Sequence, residues 1–137
     1  MDPSGQLGPA REALQFVANL AEERHGEGIK DQQEVLMHLS DMTMEIYAMD
    51  SALCRAGRRS SAVHSLMPLM PLMAETFVSD ASARVAWSAM QILASLAEGE
   101  ELEAHLGRLR RSLVHTPANT VQTRRRIAES LLDNERL

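Results

Sequence analysis

Between Asp31 and Gly57 the apolar residues Val35, Leu39, Met42, Ile46, Met49 and Leu53 return at intervals of 4, 3, 4, 3 and 4. Only an α-helix brings that spacing onto one face, and the run lasts about five turns at 3.6 residues each. Asp31 stands where it can cap the first turn, and Glu34 three residues on completes a capping-box pair. Gly57 stops the helix, with Arg55, Arg58 and Arg59 set against the negative end of its dipole. A helix with one long apolar seam is stable only when that seam is covered by other elements.

The covering elements are helices as well. Aromatic residues are 3% of the 137, there are nine methionines, and no β-branched or aromatic run marks a strand. The first eight residues read as a frayed lead-in and residues 133–137 as a frayed tail, around a single helical domain over 9–132. One helix is expected from Pro9 to His25, with Leu14, Val17, Leu20 and Ala21 as its stripe, stopped by Gly26 and Gly28. After a polar link over 60–65, a helix starts at Pro68 or Pro71 and runs to Ala97. Phe77, Ala81, Trp87, Ile92 and Leu96 are its core candidates. Leu102, Leu106, Leu109 and Leu113 place a fourth helix over 101–114, closed by Thr116-Pro117. Asn119 caps a fifth helix to Leu132, with Gln122 at the capping-box position. The expected fold is all-α, an up-and-down bundle of four to five helices.

Charge and cysteine content narrow the function classes. Net charge is −5, with ten acids against three bases in residues 1–54 and nine against eleven in 55–137. That balance disfavours a general nucleic-acid binder. The single cysteine, Cys54, excludes an internal disulfide and a multi-cysteine metal site. No apolar stretch reaches about 18 residues, and no signal-peptide pattern opens the chain. A cytoplasmic or otherwise intracellular location is therefore expected.

Four features carry chemistry-bearing residues. Glu34, His38, Asp41 and Glu45 share one face of the second helix, but that face holds no Glu-x-x-His pair of the kind a di-metal bundle uses, so a polar stripe beside the seam is the simpler reading. Cys54 and the histidines His25, His38, His64, His105 and His115 form no nucleophile signature, and Cys54 is expected as a small, partly buried packing residue. Arg108, Arg110 and Arg111, with Arg124, Arg125 and Arg126, could offer a basic patch to phosphate or anionic lipid. Three consecutive arginines span most of a helical turn, however, and suit a solvated helix better. Residues 65–73, Ser-Leu-Met-Pro-Leu-Met-Pro-Leu-Met, are the most apolar window. They suit the start of a packed helix better than a membrane- or partner-contacting edge.

The second helix also carries a recognisable pattern. Gly28-Ile29, Leu39-Ser40-Asp41-Met42, and Glu45 through Leu53 with Arg55 resemble the C-terminal region of acyl-CoA dehydrogenases, and most of all the extra helical domain that ends the very-long-chain type. The resemblance spans residues 9–132. It implies a parent flavoenzyme that oxidises fatty acyl-CoA thioesters to enoyl-CoA with FAD and hands electrons to an electron-transferring flavoprotein. Met73 through Ala81 and Ala89 through Leu93 resemble the family helix that leads to an FAD-holding Gly-Gly-x-Gly turn. Here Ala94-Ser95-Leu96-Ala97-Glu98-Gly99 stands in that place, and backbone approach to a cofactor needs glycine. The family's catalytic glutamate, in a Tyr-Glu-Gly-Thr stretch, is matched by His115-Thr116-Pro117-Ala118, which offers no carboxylate base.

The resemblance therefore implies a non-catalytic domain with no catalytic, cofactor-binding or metal residues of its own; FAD belongs to the parent enzyme. Its expected roles are to pack on the catalytic part or to support a homodimer or partner contacts, with no nucleic acid and at most a membrane contact. A free-standing adaptor that binds an anionic partner through the arginines is the alternative. An enzyme whose subunits share a flavin across an interface is a third reading.

Overall fold

The computed structural model describes residues 3–57, 69–113 and 117–135. Among them are five α-helices and no strand. They are α1 (Leu7–His25), α2 (Gln33–Gly57), α3 (Met70–Leu96), α4 (Gly99–Ser112) and α5 (Thr120–Glu135). Short 3-10 turns at Pro3–Gln6 and Gly26–Asp31 lead into α1 and α2. Residues 3–8 thus belong to helical structure, and Leu7 packs against the core. The capping pair expected at Asp31 and Glu34 is out of register: Asp31 ends the 3-10 turn and α2 begins at Gln33. The polar link, Arg58, Arg59 and Pro68 lie outside the described residues.

α3 is the hub, touching each of the other four helices. Its buried line Val78, Ala81, Val85, Ala89, Ile92 and Leu96 follows the helical period. The seam expected on α2 is its buried face, with Val35, Met42, Ile46 and Met49 in the core and Leu39 and Leu53 against it. On α1 the fully buried line is Ala10, Ala13, Val17 and Ala21, while Leu14 and Leu20 pack from its edges. Small residues on that line let the α1 backbone come close to its neighbours.

Cross-helix pairs fix the directions. Arg11 on α1 reaches Asp50 on α2, and Arg84 on α3 reaches Glu45 on α2. Arg24 pairs with Glu101, while Arg108 lies over Phe16. α1 to α4 therefore alternate in direction. α5 does not reverse again, since Thr76 meets Thr123 and Ser79 meets Ala118, so α5 runs against α3 just as α4 does. Length explains this. α3 has 27 residues and α4 has 14, about 40 Å against about 21 Å at 1.5 Å per residue. α4 covers only the C-terminal part of α3, and α5 continues along the N-terminal part.

Two helix ends use local chemistry read from the sequence. Gly99 has φ of 62°, a left-handed conformation that glycine adopts without strain, and it turns the chain from α3 into α4. Asn119 Oδ1 accepts the Gln122 N–H at 3.1 Å, capping α5 as expected.

Candidate functional site

The polar face of α2 points toward α3. Glu45 takes the Arg84 guanidinium in a two-pronged contact, Oε1 to Nε at 2.7 Å and Oε2 to Nη2 at 2.9 Å. That hydrogen-bonded carboxylate is the main reason the Arg84 pKa stands above its ordinary value; burial opposes it, and the charges of Glu45 and Asp80 add to it. His38 meets the edge of Trp87 with ring centroids 5.4 Å apart, and its buried Nδ1 finds no hydrogen-bond partner. Asp41, Met44, Glu45, Arg84, Trp87 and Ser88 line an open notch of about 310 Å³. Glu45 is thus engaged with a cation from α3 and His38 with a ring. Among the described residues no three His, Cys, Asp or Glu side chains converge on a common point.

Trp87, expected in the core, is 54% exposed. The reason is register: the buried line of α3 passes through Val85 and Ala89, so Trp87 falls off that face between α2 and solvent. Cys54 is also exposed rather than partly buried, and its Sγ lies 3.7 Å from Asp50 Oδ1. It sits one residue past the seam position Leu53, which is about 100° around the helix.

The histidines are scattered. His25 ends α1 with a buried, unpartnered Nε2. His105 on α4 lies 3.6 Å from Glu101 and beside the Phe16 ring. His64 and His115 fall outside the described residues, as does Thr116, the residue in place of the family's catalytic glutamate.

The arginines are divided as well. Arg108 stacks over Phe16 of α1 at 4.1 Å, whereas Arg124 is taken by Asp80 of α3. Arg110, Arg111, Arg125 and Arg126 are exposed on two different helices. From the apolar window, Leu69 is buried and Met70 through Met73 open α3, so that part of it is the start of a packed helix. Residues 65–68 are outside the described set. Among the described residues no helix is long and apolar enough to cross a membrane.

The stretch that replaces the glycine turn is helical through Leu96, then extended at Ala97 and Glu98. With Arg24 and Glu101 it lines an open pocket of about 320 Å³. Arg24 is already paired with Glu101 at 2.8 Å, and Glu98 adds a second acid. Side chains stand where a flavin diphosphate would need bare backbone, and the acids would repel its charge. These residues do not fit the cofactor.

Known proteins agree with this architecture. The profile of the acyl-CoA dehydrogenase C-terminal domain matches residues 10–111. A probable acyl-CoA dehydrogenase of Bacillus subtilis is 29% identical over 128 residues, covering 93% of this chain and 22% of that protein. The crystal structure of an acyl-CoA dehydrogenase complexed with FAD from Bacillus anthracis superimposes with a TM-score of 0.89 at 27% identity, over 97% of this chain and 23% of that one. The chain thus spans about a fifth of the length of these relatives. Its fold, its pattern and a match across most of its length place the chain in the acyl-CoA dehydrogenase family, as that family's C-terminal helical domain.

Proposed function

We propose that this chain is a non-catalytic helical domain that packs on the catalytic part of an FAD-dependent acyl-CoA dehydrogenase, or supports its dimer or partner contacts. The parent enzyme would oxidise fatty acyl-CoA to enoyl-CoA. One observation carries the reading: nearly the whole chain superimposes on under a quarter of an FAD-complexed relative. The acid-lined, side-chain-filled stretch Ala94–Gly99 favours a supporting role over cofactor binding. The bundle contributes instead a rigid surface, with exposed apolar side chains on α2, α3 and α5 for a neighbour to cover.

The test is to incubate the purified chain with excess FAD, remove free flavin by gel filtration, and record visible absorbance and acyl-CoA-dependent dye reduction. The expected result is no retained flavin and no reduction. Stoichiometric FAD that bleaches on adding acyl-CoA would overturn the reading.

A further inference from the structure

The contact between α2 and α3 contains a ladder with one rung incomplete. The two helices run antiparallel, and Glu45 of α2 stands opposite Arg84 of α3. One turn along, α2 again presents an acid, Asp41, and the matching position on α3 is Ser88. The first rung sets a carboxylate against a guanidinium. The second sets a carboxylate against a short hydroxyl. Where the long cation would have stood there is the open notch of about 310 Å³, lined by Asp41, Met44, Glu45, Arg84, Trp87 and Ser88.

The groups around that notch suit a flat organic cation. Asp41 is half-buried and has no ion-pair partner among the described residues. Ser88 is 5% exposed and lines the notch, and among the described residues its hydroxyl has no hydrogen-bond partner. Polar groups withdrawn from water without a protein partner carry a cost that a bound donor would offset. Trp87 stands beside them half exposed, and an indole ring attracts a cation to its face. The complete rung shows the same chemistry satisfied inside the chain. Arg84 gives Glu45 two hydrogen bonds and lies 5.7 Å from the centre of the Phe77 ring. Arg84 does not make the notch cationic, because Glu45 holds its charge and Asp80 adds to the opposing field. The carboxylate of Asp41 is the charge left over.

We propose that this notch is a binding site for an alkylguanidinium group, its N–H groups donating to the Asp41 carboxylate and the Ser88 hydroxyl and its flat face against Trp87. A guanidinium fits better than an ammonium. It is planar, weakly hydrated, stacks on aromatic rings and offers several donors in one plane to a carboxylate. A free organic cation and an arginine side chain share this chemistry. Every group that makes the site belongs to α2 and α3 of this chain, so the proposal stands apart from any flavoprotein part.

The chain has a single tryptophan, so fluorescence excited beyond the absorbance of Tyr47 reports Trp87 alone. The test is a titration with methylguanidinium chloride, against sodium chloride at the same ionic strength. A saturable change with methylguanidinium only is expected. Asp41→Asn should weaken binding by about tenfold or more, the scale of one lost hydrogen bond to a charged group. Trp87→Leu, read by calorimetry, should weaken it several-fold. Asp133→Asn removes the same charge from the exposed C-terminal part of α5 and should leave binding unchanged. Circular dichroism should be the same for all three variants. A capped arginine tripeptide separates the two sources: binding equal to that of methylguanidinium assigns the notch to a side chain, and weaker binding assigns it to a free ion. No saturable change beyond the salt control overturns the proposal. So does binding that survives Asp41→Asn, binding that Asp133→Asn weakens equally, or methylammonium held as tightly as methylguanidinium.

Discussion

Trp87 and Met42 are both large apolar side chains on long helices, and they bear opposite loads. Met42 is fully buried, whereas Trp87 is half exposed and held mainly by the His38 edge and its place beside α2. Met42→Ala is expected to cost about 2–5 kcal/mol, the range for emptying a core site, and Trp87→Ala about 1 kcal/mol or less. Urea denaturation of the two variants checks this, and equal losses would contradict the placement. The buried hydroxyls of Thr76 and Thr123, 2.7 Å apart, make a second test. Each hydroxyl also lies within reach of a backbone carbonyl, Leu72 for Thr76 and Thr120 for Thr123, and the two hydroxyl protons serve two of these three contacts at a time. Thr76→Val and Thr123→Val should therefore cost about 1 kcal/mol each, and the double variant less than their sum, because either change alone already removes the bond the two hydroxyls share. Strict additivity in that cycle would mean the two hydroxyls do not interact.

At the scale of the element, the ends of helices are governed by single residues and their middles by the core. Asn119 satisfies the Gln122 N–H, so Asn119→Ala should lower stability by about 1 kcal/mol. Gly99 has open space where a Cβ would stand, so Gly99→Ala tests conformation without a clash. The positive φ alone should cost about 1–2 kcal/mol. A neutral result in thermal melts would mean the α3–α4 turn relaxes out of the left-handed region. Both residues were legible in the sequence, because capping and left-handed turns depend on a few neighbouring atoms. The cap expected of Asp31 was not, because the 3-10 turn Gly26–Asp31 uses the residue that local pattern would assign to the next helix. On α1 the expected stripe contains Val17 and Ala21 of the buried line but not Ala10 and Ala13, for another reason. Alanine is apolar but small, and its value as a seam shows only when a neighbouring helix comes close.

For the whole molecule, α5 is the least anchored of the described helices, with Thr123 its one buried residue. It lies on α3 through Thr76, Ser79 and Asp80, so removing it exposes hydroxyls and a carboxylate rather than a large apolar surface. A chain ending at residue 116 is expected to keep a cooperative thermal transition, with its helical signal reduced by the share of α5 and a modestly lower Tm. Loss of cooperativity would show that α5 is integral to the core.

The amino-acid sequence alone determined the helical class, the seam of α2, the punctuation at Gly26, Gly99 and Asn119, and the family pattern over residues 39–55. These rest on periodicity and short-range bonding, which neighbours in the chain decide. Tertiary structure decided the central place of α3, the direction of α5, the exposure of Trp87 and Cys54, and the division of the arginines between Phe16, Asp80 and solvent. Helical period says which residues share a face. Which faces are covered depends on how far each neighbouring helix reaches, and a 14-residue α4 beside a 27-residue α3 leaves room along which α5 lies.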